Sequence, residues 1–98
     1  MSVAKTDDVY KALADSTRRR ILRFLGERDM TAGELTGMFP ISGPSMSHHF
    51  NVLKNAELIE GRREGQQIVY SLNTTAVQEL LAGLFDLFAS DRADGGQA

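Results

Sequence analysis

The chain's two histidines stand side by side, His48 and His49, in SGPSMSHHFNVLK, a stretch that also holds Ser42, Ser45 and Ser47. These residue types offer three chemistries: metal ligation, a serine nucleophile with a histidine base, and contact with nucleic acid by short polar groups at a helix start. Spacing argues against the first. Neighbouring residues on a helix point about 100° apart, so His48 and His49 cannot easily share one ion, and the i, i+4 pair of helical metal sites is absent. No metal ligand set and no cofactor are expected. Catalysis needs an oriented nucleophile–base pair in a pocket. Ser45 or Ser47 near His49 meets that need in composition only, with no third orienting residue and no Gly-rich nucleophile turn, so no enzyme is expected. A small hydrolase using Ser47 and His49 would show itself by turnover of generic esters. The third chemistry fits the order of residues, because small side chains let a helix enter a groove deeply and the amide ends of its first turn favour anions. His48 then contacts DNA or is an exposed bystander. His49 is expected partly buried beside Phe50, donating to a backbone carbonyl.

The elements that must position these residues are legible from periodicity and caps. Val9, Ala12 and Leu13 mark a short helix over Asp7 to Leu13, and Asp15 suits the N-cap of a second helix in STRRRILRFLGER. On that helix Ile21, Leu22 and Leu25, with the stem of Arg18, form one face. Arg18, Arg19, Arg20 and Arg23 occupy its outer turns, either as a solvated face or as phosphate contacts. TAGE, Thr31 to Glu34, has capping-box spacing, and Pro40 ends the short helix that follows it. Ser42 is the natural cap of the next helix, with Pro44 tolerated in its first turn. Met46, Phe50 and Leu53 define the buried stripe of that helix, while Ser45, Ser47, His48, Asn51 and Lys54 point elsewhere.

Two helices joined by a short break form a helix-turn-helix signature. LIEGRR and QQIVYSLN read as two strands turned by EGQ, a ribbon of the kind called a wing. The last helix starts at Asn73 or Thr74 and carries Val77, Leu80, Leu81, Leu84, Phe85 and Phe88 along one side, with Leu87 extra. That stripe is wide for a small domain to cover. We therefore expect a homodimer that uses this helix and the first one, with Val9 and Leu13 contributing. Met38, Met46, Phe24, Phe39, Phe50, Phe85 and Phe88 are expected in the core or the dimer seam. The fold class is mainly α with a small β-hairpin, a winged helix-turn-helix. Residues 1–90 form the one domain, and DRADGGQA at 91–98 has the composition of a flexible tail.

Bulk properties limit the rest. The chain has 98 residues, no cysteine and a net charge of −2. Phosphate binders usually carry a basic excess, so the net charge by itself points away from DNA. Its distribution softens the objection, since residues 16–71 hold eight Arg or Lys against six acids while residues 72–98 hold one Arg against four. Nothing resembles a leader or an apolar span, and the lack of cysteine suits a reducing compartment. A cytoplasmic protein without membrane insertion is expected.

In order and in wording, VYKALADSTRRRILRFL, MTAGELTGMFPISGPSMSHHFNVLKNAELI and RREGQQIVYSLN resemble the opening helices, helix-turn-helix and wing of the ArsR/SmtB family of winged-helix repressors. The match covers roughly residues 8–88, and it is most similar to the cysteine-free autorepressors of the SdpR kind. The resemblance implies a homodimer that binds a palindromic operator near its own promoter through a recognition helix at 42–56 and a wing at 59–72. By family position Ser47 and His48 match groove-entering residues, and Arg62, Arg63, Gln66 and Gln67 match the wing. Gly43 and Pro44 depart from the family's usual polar pair after Ser42, so two common contacts are absent or replaced by backbone. The family's metal sites do not carry over, because Thr31, Ala32 and Gly33 stand where Cys-x-Cys is needed and residues 74–90 contain no histidine.

Taken together, Ser45, Ser47, His48 and Asn51 are expected to read or brace bases, with Ser42 and Gly43 also among the DNA-binding residues. Lys54, Arg18, Arg19, Arg62 and Arg63 are expected on phosphates, with Gln66 and Gln67 at the wing. The rival reading is a winged-helix module that binds a protein and has little DNA affinity. An organic inducer, an anti-repressor protein or autoregulation by concentration would relieve repression.

Overall fold

Asp15 opens the second helix two residues past the end of the first. In the computed structural model, which describes residues 3–97 and the side chains of 6–89, α1 spans Val3–Leu13 and α2 spans Ser16–Glu27. The Asp15 carboxylate accepts the Arg18 amide at 3.1 Å, satisfying one of the orphan donors of the α2 first turn. The expected start of the first helix at Asp7 was too late by one turn. β1, Met30–Thr31, leads into α3, Ala32–Gly37. Thr31 and Glu34 form the expected capping box in both directions, at 3.0 and 2.9 Å.

Ser42 caps α4, Gly43–Asn55, with Pro44 in its first turn where no amide is required. Ala56 ends the helix, and Glu57 takes a left-handed conformation with φ 60°, reversing the chain into the wing. The wing is β2, Ile59–Glu64, and β3, Gln67–Leu72, turned by Gly65 at φ 64°. Asn73 then caps α5, Thr74–Gln97, by accepting the Ala76 amide, which decides between the two expected caps. The expected tail at 91–98 falls on side chains outside the described residues.

One strand was not foreseen. β1 adds to β3 as a third antiparallel strand, Met30 opposite Tyr70 and Thr31 opposite Val69, giving the order β1-β3-β2. Two residues carry no period-2 signal, so only the pairing reveals it.

The core is the face where α1, α2, α3, α4 and the sheet meet. Ile21, Leu35, Met46, Leu53 and Leu58 are fully buried there, and Phe50 packs its ring on Tyr70 at 4.8 Å between centroids. Gly61 sits opposite Tyr70 on β2, and a Cβ there would come within 3.0 Å of the tyrosine ring. The missing side chain is what lets Tyr70 lie flat between the wing and α4. Two expectations fail here. Met38 is half exposed because α3 stops at Gly37, turning it outward. Val9, expected at a dimer seam, lies wholly inside the chain's own core.

Candidate nucleic-acid interface

The α4 helix divides cleanly. Met46, Phe50 and Leu53 anchor it in the core, which obliges Ser47, Asn51 and Lys54, at i, i+4 and i+7, to share one exposed face about 100° round the helix, with His48 beside it. The side chains of Ser47, Asn51 and Lys54 have no partner among the described residues. They are free to meet a ligand. Ser42 and Ser45 are more committed: the Ser42 hydroxyl accepts the Ser45 amide at 3.3 Å and donates to the Ser45 hydroxyl at 3.0 Å. Gly43 and Pro44 complete an exposed first turn.

The wing supplies a second set of polar groups. Register places Gly61, Arg63, Ile68 and Tyr70 on one face of the ribbon, the face that Tyr70 presses against α4. Arg63 therefore projects on the recognition-helix side, exposed and unpaired among the described residues. Arg62 points the other way. It bonds Asp29 at 3.0 Å and Glu64 at 2.6 Å, and those two carboxylates raise its pKa further above the ordinary arginine value, Glu64 more than Asp29. Gln66 and Gln67 are exposed at the tip. The Asp29–Arg62 pair joins residues 33 apart in sequence, and no local pattern could have announced it.

Arg18 requires a correction. Expected on a phosphate, it is the buried charged residue of the described chain, with Nε donating to the Ala12 carbonyl at 2.8 Å and Nη2 to the Lys11 carbonyl at 3.0 Å. Its Nη1 lies 3.1 Å from Nδ1 of His49. Arg19 is exposed but also turns back, donating to the Leu13 carbonyl at 2.8 Å. The two arginines thus close the last carbonyls of α1, where cations are favoured by the helix dipole. The signal was present in the sequence, since both follow directly on a helix end. Arg20 lies over the Phe39 ring at 4.8 Å, another cation the sequence left unassigned.

His49 is partly buried as expected, but its partner differs. Nδ1 faces a guanidinium that can only donate, so the ring accepts rather than donates. Burial lowers its pKa below the usual histidine value; Asp15 opposes that, and Arg18 and His48 reinforce it. Burial alone would raise the Asp15 carboxyl, yet the Arg18 amide bond and the nearby Arg18 and His49 charges bring it below its ordinary value.

Comparison with known proteins places this geometry. A helix-turn-helix domain family matches residues 13–62. The transcriptional repressor SdpR of Bacillus subtilis is 55% identical over 73 residues, covering 74% of this chain and 81% of SdpR. The solved structure of an ArsR-like transcriptional regulator from Rhodococcus superposes with a TM-score of 0.84 at 30% identity, over 95% of this chain and 89% of that one. The chain belongs to the ArsR/SmtB family. A further ArsR/SmtB relative, the arsenical resistance operon repressor of Staphylococcus aureus, is 32% identical over 84 residues, 86% of this chain and 81% of its own. In ArsR/SmtB terms, α3 and α4 are the helix-turn-helix, β2 and β3 the wing. Among the described residues no group of three or more His, Cys, Asp or Glu could hold a metal ion, and no helix is long and apolar enough to cross a membrane.

The two wing arginines are separable by experiment. Arg63→Ala should lower affinity for every duplex and flatten the dependence of log affinity on log salt by about one unit, the signature of one lost phosphate contact. Arg62→Ala should leave that slope unchanged, because its charge is already matched by Asp29 and Glu64. Equal slope changes for both would return Arg62 to the contact set.

Proposed function

We propose that this protein is a dimeric DNA-binding transcriptional repressor that binds a palindromic operator and represses its own promoter. The observation that carries the reading is the exposed polar face of α4, with Ser47, Asn51 and Lys54 unpartnered among the described residues and His48 beside them, held outward by a buried stripe and flanked on the same side by Arg63 of the wing. Ser47, His48 and Asn51 read or brace base edges, with Ser42, Gly43 and Ser45 supplying the first turn of the helix. Lys54, Arg19 and Arg63 meet phosphates, and Gln66 and Gln67 follow the backbone at the wing.

Dimerisation runs through α1 and α5. Leu81, Phe85, Leu87 and Phe88 of α5 are half to three-quarters exposed, an apolar surface that a monomer of this size would not leave to water. Tyr10 of α1 lines a groove with Leu80, Leu84 and Leu87 and extends that surface. Leu13, Val77 and Leu80 back it from within, packed against the core. Two recognition helices related by the dimer axis enter successive major grooves about 34 Å apart, so operator symmetry mirrors the protein's. The protein works in the cytoplasm. An organic inducer, an anti-repressor protein or autoregulation by concentration relieves repression.

Fluorescence anisotropy against duplex from the protein's own upstream region and against scrambled duplex, at low and physiological salt, tests the reading. Tight, sequence-selective binding that saturates at one dimer per site is the expected result. Equal weak binding to both duplexes, or none, would instead favour a winged-helix module that binds a protein.

A further inference from the structure

A polar joint ties the recognition helix to the two helices before it. Arg18 of α2 reaches the Lys11 and Ala12 carbonyls at the end of α1 with two of its donors, and His49 of α4 with a third. His49 lies next to His48 and two residues past Ser47, so whatever moves its backbone moves the reading face.

The bond has a chemical condition. Nδ1 can accept from Arg18 only while the ring is neutral, with its proton on Nε2. A proton on Nδ1 sets a donor against a donor and a cation against a cation. Asp15 Oδ2 is 3.9 Å from the same Nδ1 and becomes the better partner, although it already accepts the Arg18 amide as the cap of α2.

We propose that the Arg18–His49 joint is an acid-sensitive positioning device: neutral His49 holds α4 in place against α1 and α2, and protonation transfers it to Asp15, shifts α4 and weakens DNA binding. The proposal rests on the repressor reading above. His49 and Arg18 are positioning residues here and touch no DNA.

The charged groups around the joint are Arg18 from α2, Asp15 from the turn before it, His48 on the same helix, and Asp8 and Lys11 of α1, which line the α1–α4 groove with Val52 and Asn55. Burial is the largest influence on His49 and disfavours its cation, Arg18 and His48 act in the same direction, and Asp15 opposes them. The ring is therefore neutral at pH 8 and charges only below the ordinary histidine range near pH 6.5. Between that value and the lower folded one, the unfolded chain binds more protons than the folded one. Stability therefore rises with pH across this window and is lost as pH falls through it. DNA affinity through His49 follows the same sign.

His49→Asn keeps an acceptor, Oδ1, near the place of Nδ1 and removes the titration. Affinity of the full chain for the upstream duplex is measured from pH 8.0 to 5.5 at constant ionic strength for wild type, His49→Asn and His48→Asn, with far-UV circular dichroism at each pH. Wild type should lose at least about fivefold more affinity than His49→Asn across the range while its dichroism holds constant. In His48→Asn, which keeps the Arg18–His49 joint, affinity should fall on acidification as well. Parallel profiles for wild type and His49→Asn overturn the proposal. A flat or rising profile in His48→Asn does so even where His49→Asn fails to fold. Absence of sequence-selective binding at pH 8 by wild type would sink the repressor reading first, and the device with it.

Discussion

Arg18→Met lowers the unfolding free energy by about 3 kcal/mol, the scale for removing one partner from a buried charged hydrogen-bond network. Methionine fills much of the stem's volume, so the loss falls on the polar end. The Ala12 carbonyl and Nδ1 of His49 are left without the donors that satisfy them, while the Lys11 carbonyl loses one of two and keeps the Ala14 amide. Arg18 is 9% exposed, so water reaches these groups poorly in the folded chain. Urea unfolding at pH 8 checks the figure through the midpoint at constant slope. A midpoint that stays put while DNA affinity falls would return Arg18 to the phosphate contacts and undo its structural assignment. Arg19→Met, an exposed cap on the neighbouring Leu13 carbonyl, should cost far less.

Ser47→Asp should abolish most operator binding, by about a hundredfold or more, and leave the fold intact. The argument is geometric. Ser47 lies on the exposed side of α4, with Asn51 one turn on and Lys54 a second turn beyond, and its side chain has no role in the core. A carboxylate there would be desolvated against the floor or rim of a groove lined by phosphates, and like-charge juxtaposition at an interface costs several kcal/mol. An aspartate in the first turns of a helix is not unfavourable to the helix itself, since the amide end of the dipole favours anions. Thermal unfolding should accordingly match wild type within a few degrees. Anisotropy with the upstream duplex at physiological salt gives the decisive number. Undiminished binding would show that another face of the molecule meets the DNA.

The caps, stripes and turns that build this fold are local, and the sequence displays them. Asp15, Thr31 with Glu34, and Ser42 each stand at the start of a helix and act within three residues of themselves, so their roles follow from short-range hydrogen bonding. The Met46, Phe50 and Leu53 stripe fixes which way α4 must turn, and through it the outward direction of Ser47, Asn51 and Lys54. A single sequence therefore determined the order of helices and wing, the orientation of the recognition helix and the residues on its free face.

The tertiary structure alone decided which cations are free. The helical wheel puts the stem of Arg18 on the buried face without a partner for its charge, and the alternation of β2 puts Arg62 and Arg63 on opposite faces without saying which is paired, because neither pattern contains the partner across the chain. Arg18 meets a histidine 31 residues away and Arg62 an aspartate 33 residues away. The same holds for β1, whose two residues become a strand only beside Tyr70 and Val69, and for Val9, which the packing of α1 against α4 takes inside. Hydrogen bonding at a helix cap is written in adjacent residues. The pairing of a charge is written in whichever distant residue the fold brings within 3 Å.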